Sequence, residues 1–147
     1  MVNPEAKQLF DKGNRYLNEG NVIAALSCFE KALSLEEDPL ISSCFAFCIA
    51  KERGEVKKAI AFCNEAIAKE PENSLHYLNL GRIYLLNKEK NKAIDIFRKG
   101  LHYQNDQLIV DELQRLGTRK PPIVRFLKRT NFINKYLGMI LSRLKLR

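Results

Sequence analysis

Residues 74–107 read SLHYLNLGRIYLLNKEKNKAIDIFRKGLHYQNDQ, and the fold of the chain turns on this stretch. Apolar residues recur at helical spacing on both sides of a polar break at Asn87-Lys88, which predicts two short amphipathic helices joined by a turn. The pattern occurs twice more upstream. A shift of 34 residues superposes Ala25, Ala59 and Ala93, then Leu26, Ile60 and Ile94. The same shift superposes Phe29, Cys63 and Phe97, and Ala32, Ala66 and Gly100; a double shift places Gly13 on Gly81 and Tyr16 on Tyr84. A fixed period of this length is the signature of a solenoid, in which each unit buries its apolar face against its neighbours.

Packing explains the alternation of small and bulky residues. Small side chains let one helix of a pair approach the other, and aromatics fill the holes between neighbouring pairs. The sequence Leu80-Gly81-x-x-Tyr84, followed by Ala93-x-x-x-Phe97 and a small residue three positions later, resembles the tetratricopeptide repeat family. The resemblance covers residues 6–107, with repeats at about 6–39, 40–73 and 74–107. It implies an all-α fold, a right-handed superhelical solenoid of antiparallel helix pairs whose first helices line a concave groove. The middle copy departs from the family pattern. Phe47 stands where a small residue belongs and Ala50 where a bulky one does, which reads as an exchange of volume one turn apart.

Capping signals place the helices. Asn3-Pro4 and Asp38-Pro39 each combine a capping side chain with proline at the first helical position, where its missing N–H costs nothing. The first pair is expected to turn at Gly20-Asn21, and the second to break at Gly54 and end before Pro71. The third is expected from Glu72 or Asn73 to about His102. Residues 107–116 give one further amphipathic helix, stopped by Gly117, which would cap the apolar end of the stack. The solenoid therefore spans residues 1–117. Residues 118–147 form a separate segment: a linker around Pro121-Pro122, a short turn of helix from Ile123 to Arg129, and an amphipathic helix from Asn131 onward.

Charge divides the chain in the same place. Residues 1–112 hold fifteen Lys and Arg against seventeen Asp and Glu, a net of −2; residues 113–147 hold ten Lys and Arg and no acid, a net of +10. No run of eighteen apolar residues occurs, and MVNPEAKQLF lacks the basic flank and apolar core of a secretory leader. A cytoplasmic location is expected, with all four cysteines as thiols.

Nothing in the sequence points to catalysis or to a cofactor. Cys44 and Cys48 are spaced to share a helix face, but neither His76 nor His102 has a partner at ligand spacing. Cys63 takes a position filled by Phe in its sister repeats and reads as core. The acid run Glu36-Glu37-Asp38 lies at a helix boundary, where it favours the next helix's N-terminus. No nucleophile motif or phosphate-binding glycine loop is present. The chain is expected to bind rather than to catalyse.

The groove positions implied by the resemblance are Phe10, Asn14 and Leu17 in the first copy and Ile41, Cys44, Phe45 and Cys48 in the second. The third copy contributes Leu75, Leu78, Asn79, Arg82 and Leu85. Chaperone-binding members of the family hold a terminal carboxylate with cations and amides at five of these places. Here those five are Phe10, Asn14, Phe45, Leu75 and Asn79; only Asn14 fits and no cation is among them. The groove is instead apolar, which suits a peptide or helical segment of another protein.

The tail carries a stripe of Ile133, Tyr136, Leu137, Ile140, Leu141 and Leu144, with Arg125, Lys128, Arg129, Lys135, Arg143, Lys145 and Arg147 as its cations. The run Arg119-Lys120-Pro121-Pro122, with Phe126-Leu127-x-Arg129 and Asn134-Lys135-x-Leu137-Gly138, is similar to the C-terminal ends of some bacterial tetratricopeptide proteins of unassigned role. Docking on the repeats is the first expectation for this segment. Attachment to an anionic membrane surface is the alternative, with self-association a further partner mode. Nucleic-acid binding is the weakest of the readings, since Phe126, Phe132 and Tyr136 sit in no recognised module.

Overall fold

The computed structural model describes residues 2–117, and among them every regular element is a helix. In order these are α1 (Pro4–Asn18), α2 (Val22–Leu35), α3 (Pro39–Arg53), α4 (Val56–Lys69), α5 (Ser74–Leu86), α6 (Lys90–Tyr103) and α7 (Gln107–Arg115). The chain divides after Leu116 into two units, and the description below concerns the first. The expected linker, short helix and amphipathic tail helix of residues 118–147 lie outside the described residues.

Helices pair as α1 with α2, α3 with α4 and α5 with α6, and the pairs stack through α2 on α3, α3 on α5 and α4 on α5. The chain is an all-α solenoid. The expected caps are in place. The Asn3 carboxamide accepts from the Glu5 and Ala6 amides at 2.9 and 3.2 Å, and Asp38 accepts from Leu40 at 2.8 Å. Asn73 and Asp106 cap α5 and α7 in the same way, so every odd-numbered helix satisfies at least one of its leading N–H groups with a short polar side chain. Within each pair the turn is set by a residue in the left-handed region. Gly20, Gly54 and Lys88 recur at the repeat period, with φ of 78°, 69° and 60°. Lysine pays a steric cost there that glycine does not.

Close approach inside the pairs follows the small residues. A Cβ added at Gly13 would stand 2.6 Å from the Phe29 ring, and one at Gly81 would overlap Phe97. Phe29 and Phe97 are completely buried. The middle pair reverses the arrangement, since Phe47 replaces the glycine and Cys63 replaces the phenylalanine. The volume exchange therefore runs between the two helices of the pair, and not only between Phe47 and Ala50 on one of them. Cys63 stays fully buried while Phe47 is displaced to a half-buried position, its ring beneath the cations of Lys51 and Arg82 at 5.8 Å from each.

At the C-terminal end α7 lies on α6, with Ile109 fully buried beside Tyr77 and Phe97. The Ser74 hydroxyl donates to Asp106 at 2.7 Å, and Lys90 Nζ donates to the Leu116 carbonyl at 2.9 Å. Gly117 ends the helix at φ 66°.

Candidate functional site

A groove of about 570 Å³ runs along α1, α3, α5 and α7. Each of these four helices contributes side chains to it, and α3 packs directly on α5. Of the twelve expected positions, eight line this groove: Asn14 and Leu17 from α1, Cys44 from α3, and Leu75, Leu78, Asn79, Arg82 and Leu85 from α5. Leu78, Cys44 and Asn79 form its closed floor; Leu17, Leu75 and Leu85 are half-buried and present apolar surface.

The other four turn inward. Phe10 packs against Phe29 with ring centres 5.9 Å apart, and Phe45 meets Phe62 edge-on at 5.7 Å. Ile41 and Cys48 have no exposure at all. The expectation that these four line the groove is corrected by their place between the helices. A helical face is narrower than the set of positions assigned to it, and these four lie on the side that meets the neighbouring helices.

Several lining residues lie outside the expected set. Phe47 and Lys51 come from α3, while Leu108, Glu112 and Arg115 come from α7. Glu112 is buried, and its Oε1 accepts from Arg82 Nε at 2.8 Å across the groove; Arg115 lies 3.2 Å from its other oxygen. Phe47 carried a signal in the sequence, since a large ring at a small-residue position has to project somewhere. The Arg82–Glu112 pairing carried none, being a contact thirty residues apart between two elements.

Beneath the groove a polar network ties α3 to α5. His76 Nδ1 lies 2.9 Å from Ser43 Oγ and His76 Nε2 lies 3.1 Å from Glu70 Oε2. Asn79 Nδ2 donates to Ser43 Oγ at 3.4 Å and to Cys44 Sγ at 3.6 Å. Burial pushes the His76 imidazole below its ordinary pKa, opposed by the Glu70 carboxylate. A neutral ring donates from Nε2 to Glu70 and accepts the Ser43 hydroxyl at Nδ1. The order carboxylate, imidazole, hydroxyl is that of a nucleophile relay, but Ser43 and His76 are wholly enclosed, so no substrate reaches the hydroxyl. Its role is to satisfy polar groups within the core.

The cysteines are buried thiols. Desolvation pushes Cys44 and Cys48 up to about 12 and raises Cys63 as well, so none carries thiolate near neutrality. Among the described residues no three His, Cys, Asp or Glu side chains form a group that could hold a metal ion. No described helix is long and apolar enough to cross a membrane.

Helix pairs stacked at a fixed period, with first helices lining one groove, define a class of binding repeat. Comparison with known proteins identifies which. Models described as tetratricopeptide repeat match residues 6–39 and 50–116, and the chain belongs to the tetratricopeptide repeat family. A TPR repeat-containing protein of Methanocaldococcus jannaschii is 34% identical over 70 residues, covering 48% of this chain and 21% of that protein. The chain thus matches only about a fifth of that relative's length. Among solved structures, the first TPR of Spaghetti (RPAP3) bound to the HSP90 peptide SRMEEVD has a TM-score of 0.60 at 21% identity, covering 77% of this chain and 93% of that one. The Sgt2 TPR domain of Aspergillus fumigatus also has a TM-score of 0.60, at 18% identity, covering 87% and 93%. Identities this low speak for the fold.

Proposed function

We propose that the protein is a non-catalytic adaptor of the cytoplasm that holds a segment of another polypeptide in the groove of α1, α3, α5 and α7. The observation that carries this reading is the groove itself. Half-buried Leu17, Phe47, Leu75 and Leu85 leave apolar surface uncovered over a closed floor, interleaved with polar and charged side chains that include Asn14, Lys51, Arg82, Glu112 and Arg115. A long concave surface that mixes leucines with charged side chains suits an amphipathic peptide or helix. The bound HSP90 peptide in the Spaghetti structure supports the reading by analogy of fold. The mode of binding differs from a terminal-carboxylate clamp, since Phe10 and Phe45 lie inside the core and Leu75 offers no charge.

The test is affinity capture from the native host with the intact protein and with Phe47→Asp and Leu85→Asp variants. Both side chains are partly exposed, so helicity should persist while capture of a discrete polypeptide is lost. Equal capture by wild type and both variants would remove the groove from the account. Attachment to membranes through the stripe and cations of residues 131–147 is the second reading, favoured by the +10 net charge of residues 113–147. Co-sedimentation of the intact protein with vesicles containing anionic lipid tests it, and absence of binding dismisses it.

A further inference from the structure

We infer that Arg82 is a carboxylate receptor at the centre of the groove, so that the polypeptide held there is acidic as well as amphipathic. The inference rests on the reading of the groove as a polypeptide site and names the chemistry of its partner. Its first support is charge. The groove is lined by Lys51, Arg82 and Arg115 against the single carboxylate of Glu112, although residues 1–112 as a whole have a net charge of −2. A cationic groove on an acidic body selects for negative charge at this face.

The second support is the way Arg82 is held. Its Nε donates to Glu112, a carboxylate only 6% exposed and flanked on its other side by Arg115. Its guanidinium carbon stands 5.8 Å from the centre of the Phe47 ring. These contacts fix the plane of the guanidinium but use one N–H of five, and among the described residues neither Nη has a hydrogen-bond partner. The outer edge of the fork, two parallel N–H groups, therefore remains for a ligand, and that edge matches a carboxylate in a bidentate pair. With the Arg82 side chain 30% exposed among leucines, such a pair forms in surroundings drier than bulk water, where it is worth more than at an open surface.

The place of Arg82 separates this from the terminal-carboxylate clamp. It lies one turn beyond Asn79 and is none of the five clamp positions, so the group it receives can be an Asp or Glu side chain within a segment. Apolar side chains of that segment would sit against Phe47, Leu75 and Leu85. A basic segment would bring its cations among three others, and a neutral one would cover the free edge of Arg82 without a partner.

Fluorescence anisotropy with the full chain tests the inference. The probes are labelled helical peptides of roughly 14 residues, identical in a leucine stripe at i, i+3, i+4 and i+7, with Glu, Gln or Lys elsewhere. The Glu peptide is expected to bind about tenfold tighter than the Gln peptide, and the Lys peptide weakest. That preference should fall to about two- to threefold in Arg82→Gln. It should fall equally in the double variant Arg82→Gln, Glu112→Gln, which leaves no buried carboxylate unpaired. The basic tail is common to every variant, so only the Arg82-dependent part of the preference reports on the groove. Equal binding of Glu and Gln peptides, or a preference unchanged in both variants, overturns the carboxylate receptor and leaves the groove standing as a polypeptide site. Failure of all three peptides to bind overturns both.

Discussion

Gly81→Ala tests whether the solenoid is held by close approach of ring to backbone. In an open helical site this substitution stabilises by about 1 kcal/mol, because alanine is the better helix former. At Gly81 the new Cβ would overlap Phe97 Cε1 and stand 2.5 Å from Cδ1 and 2.7 Å from Cζ. Ordinary carbon contacts lie at ~3.5–4.0 Å, so the ring or the helix must retreat by about 1 Å. Phe97 is fully enclosed, so its ring has no solvent side to swing toward. The overlap therefore belongs near the upper end of the 1–3 kcal/mol typical of overpacked cores, for a net loss of about 1–2 kcal/mol. Urea denaturation followed by circular dichroism measures it, and a thermal scan should show a fall of roughly 4–8 °C. Adding Phe97→Leu should relieve the clash, leaving the double variant more stable than the sum of the single effects by about 1 kcal/mol. The middle repeat has made the reciprocal change, with Phe47 at the glycine position and Cys63 at the phenylalanine position. A stabilised Gly81→Ala protein, or strict additivity in the double, refutes the packing argument.

Phe97→Ala, which empties a fully buried aromatic site, should cost about 3–5 kcal/mol in the same denaturation assay. Lys88→Gly should raise stability by about 0.5–1 kcal/mol, since the residue sits at φ 60° where its two sister positions carry glycine; a loss instead would mean the lysine side chain contributes more than its strain costs. His76 has a folded pKa below its ordinary 6.5, so the unfolded chain takes up the proton first as pH falls. Its contribution to stability is complete above about pH 6.5 and declines below it, and the decline between pH 6.5 and 5 should be shallower in His76→Gln. Cys44, Cys48 and Cys63 should resist a thiol reagent at pH 8 in the native protein and react on unfolding, because burial keeps them protonated.

The helix boundaries were legible because they depend on local chemistry. Asn3, Asp38 and Gly54 act on the backbone within one turn of themselves, and a local signal survives in a single sequence. The repeat was legible for a different reason: the same packing problem is solved three times, so Ala25, Ala59 and Ala93 recur in register. The groove was only partly legible. Position in the repeat placed Asn14, Leu75 and Arg82 on the correct face, yet it could not separate Phe45, which turns to Phe62, from Phe47, which turns to the groove. Both lie on α3 two residues apart, and which ring goes inward depends on the volume left by the facing helix, where Cys63 replaces a phenylalanine. Glu112 lies in the capping helix that the sequence predicts, and its pairing with Arg82 depends on how α7 meets α5, which no local pattern encodes.

Methyl chemical-shift mapping tests the account most directly. The Glu-bearing peptide would be titrated into the intact protein labelled at leucine methyls. The account predicts shifts concentrated at Leu17, Leu75, Leu78 and Leu85 along one groove, with Leu33 on the far side of the stack unmoved. Shifts confined to Leu33 or to the leucines of residues 118–147, or no saturable shifts at all, would contradict it.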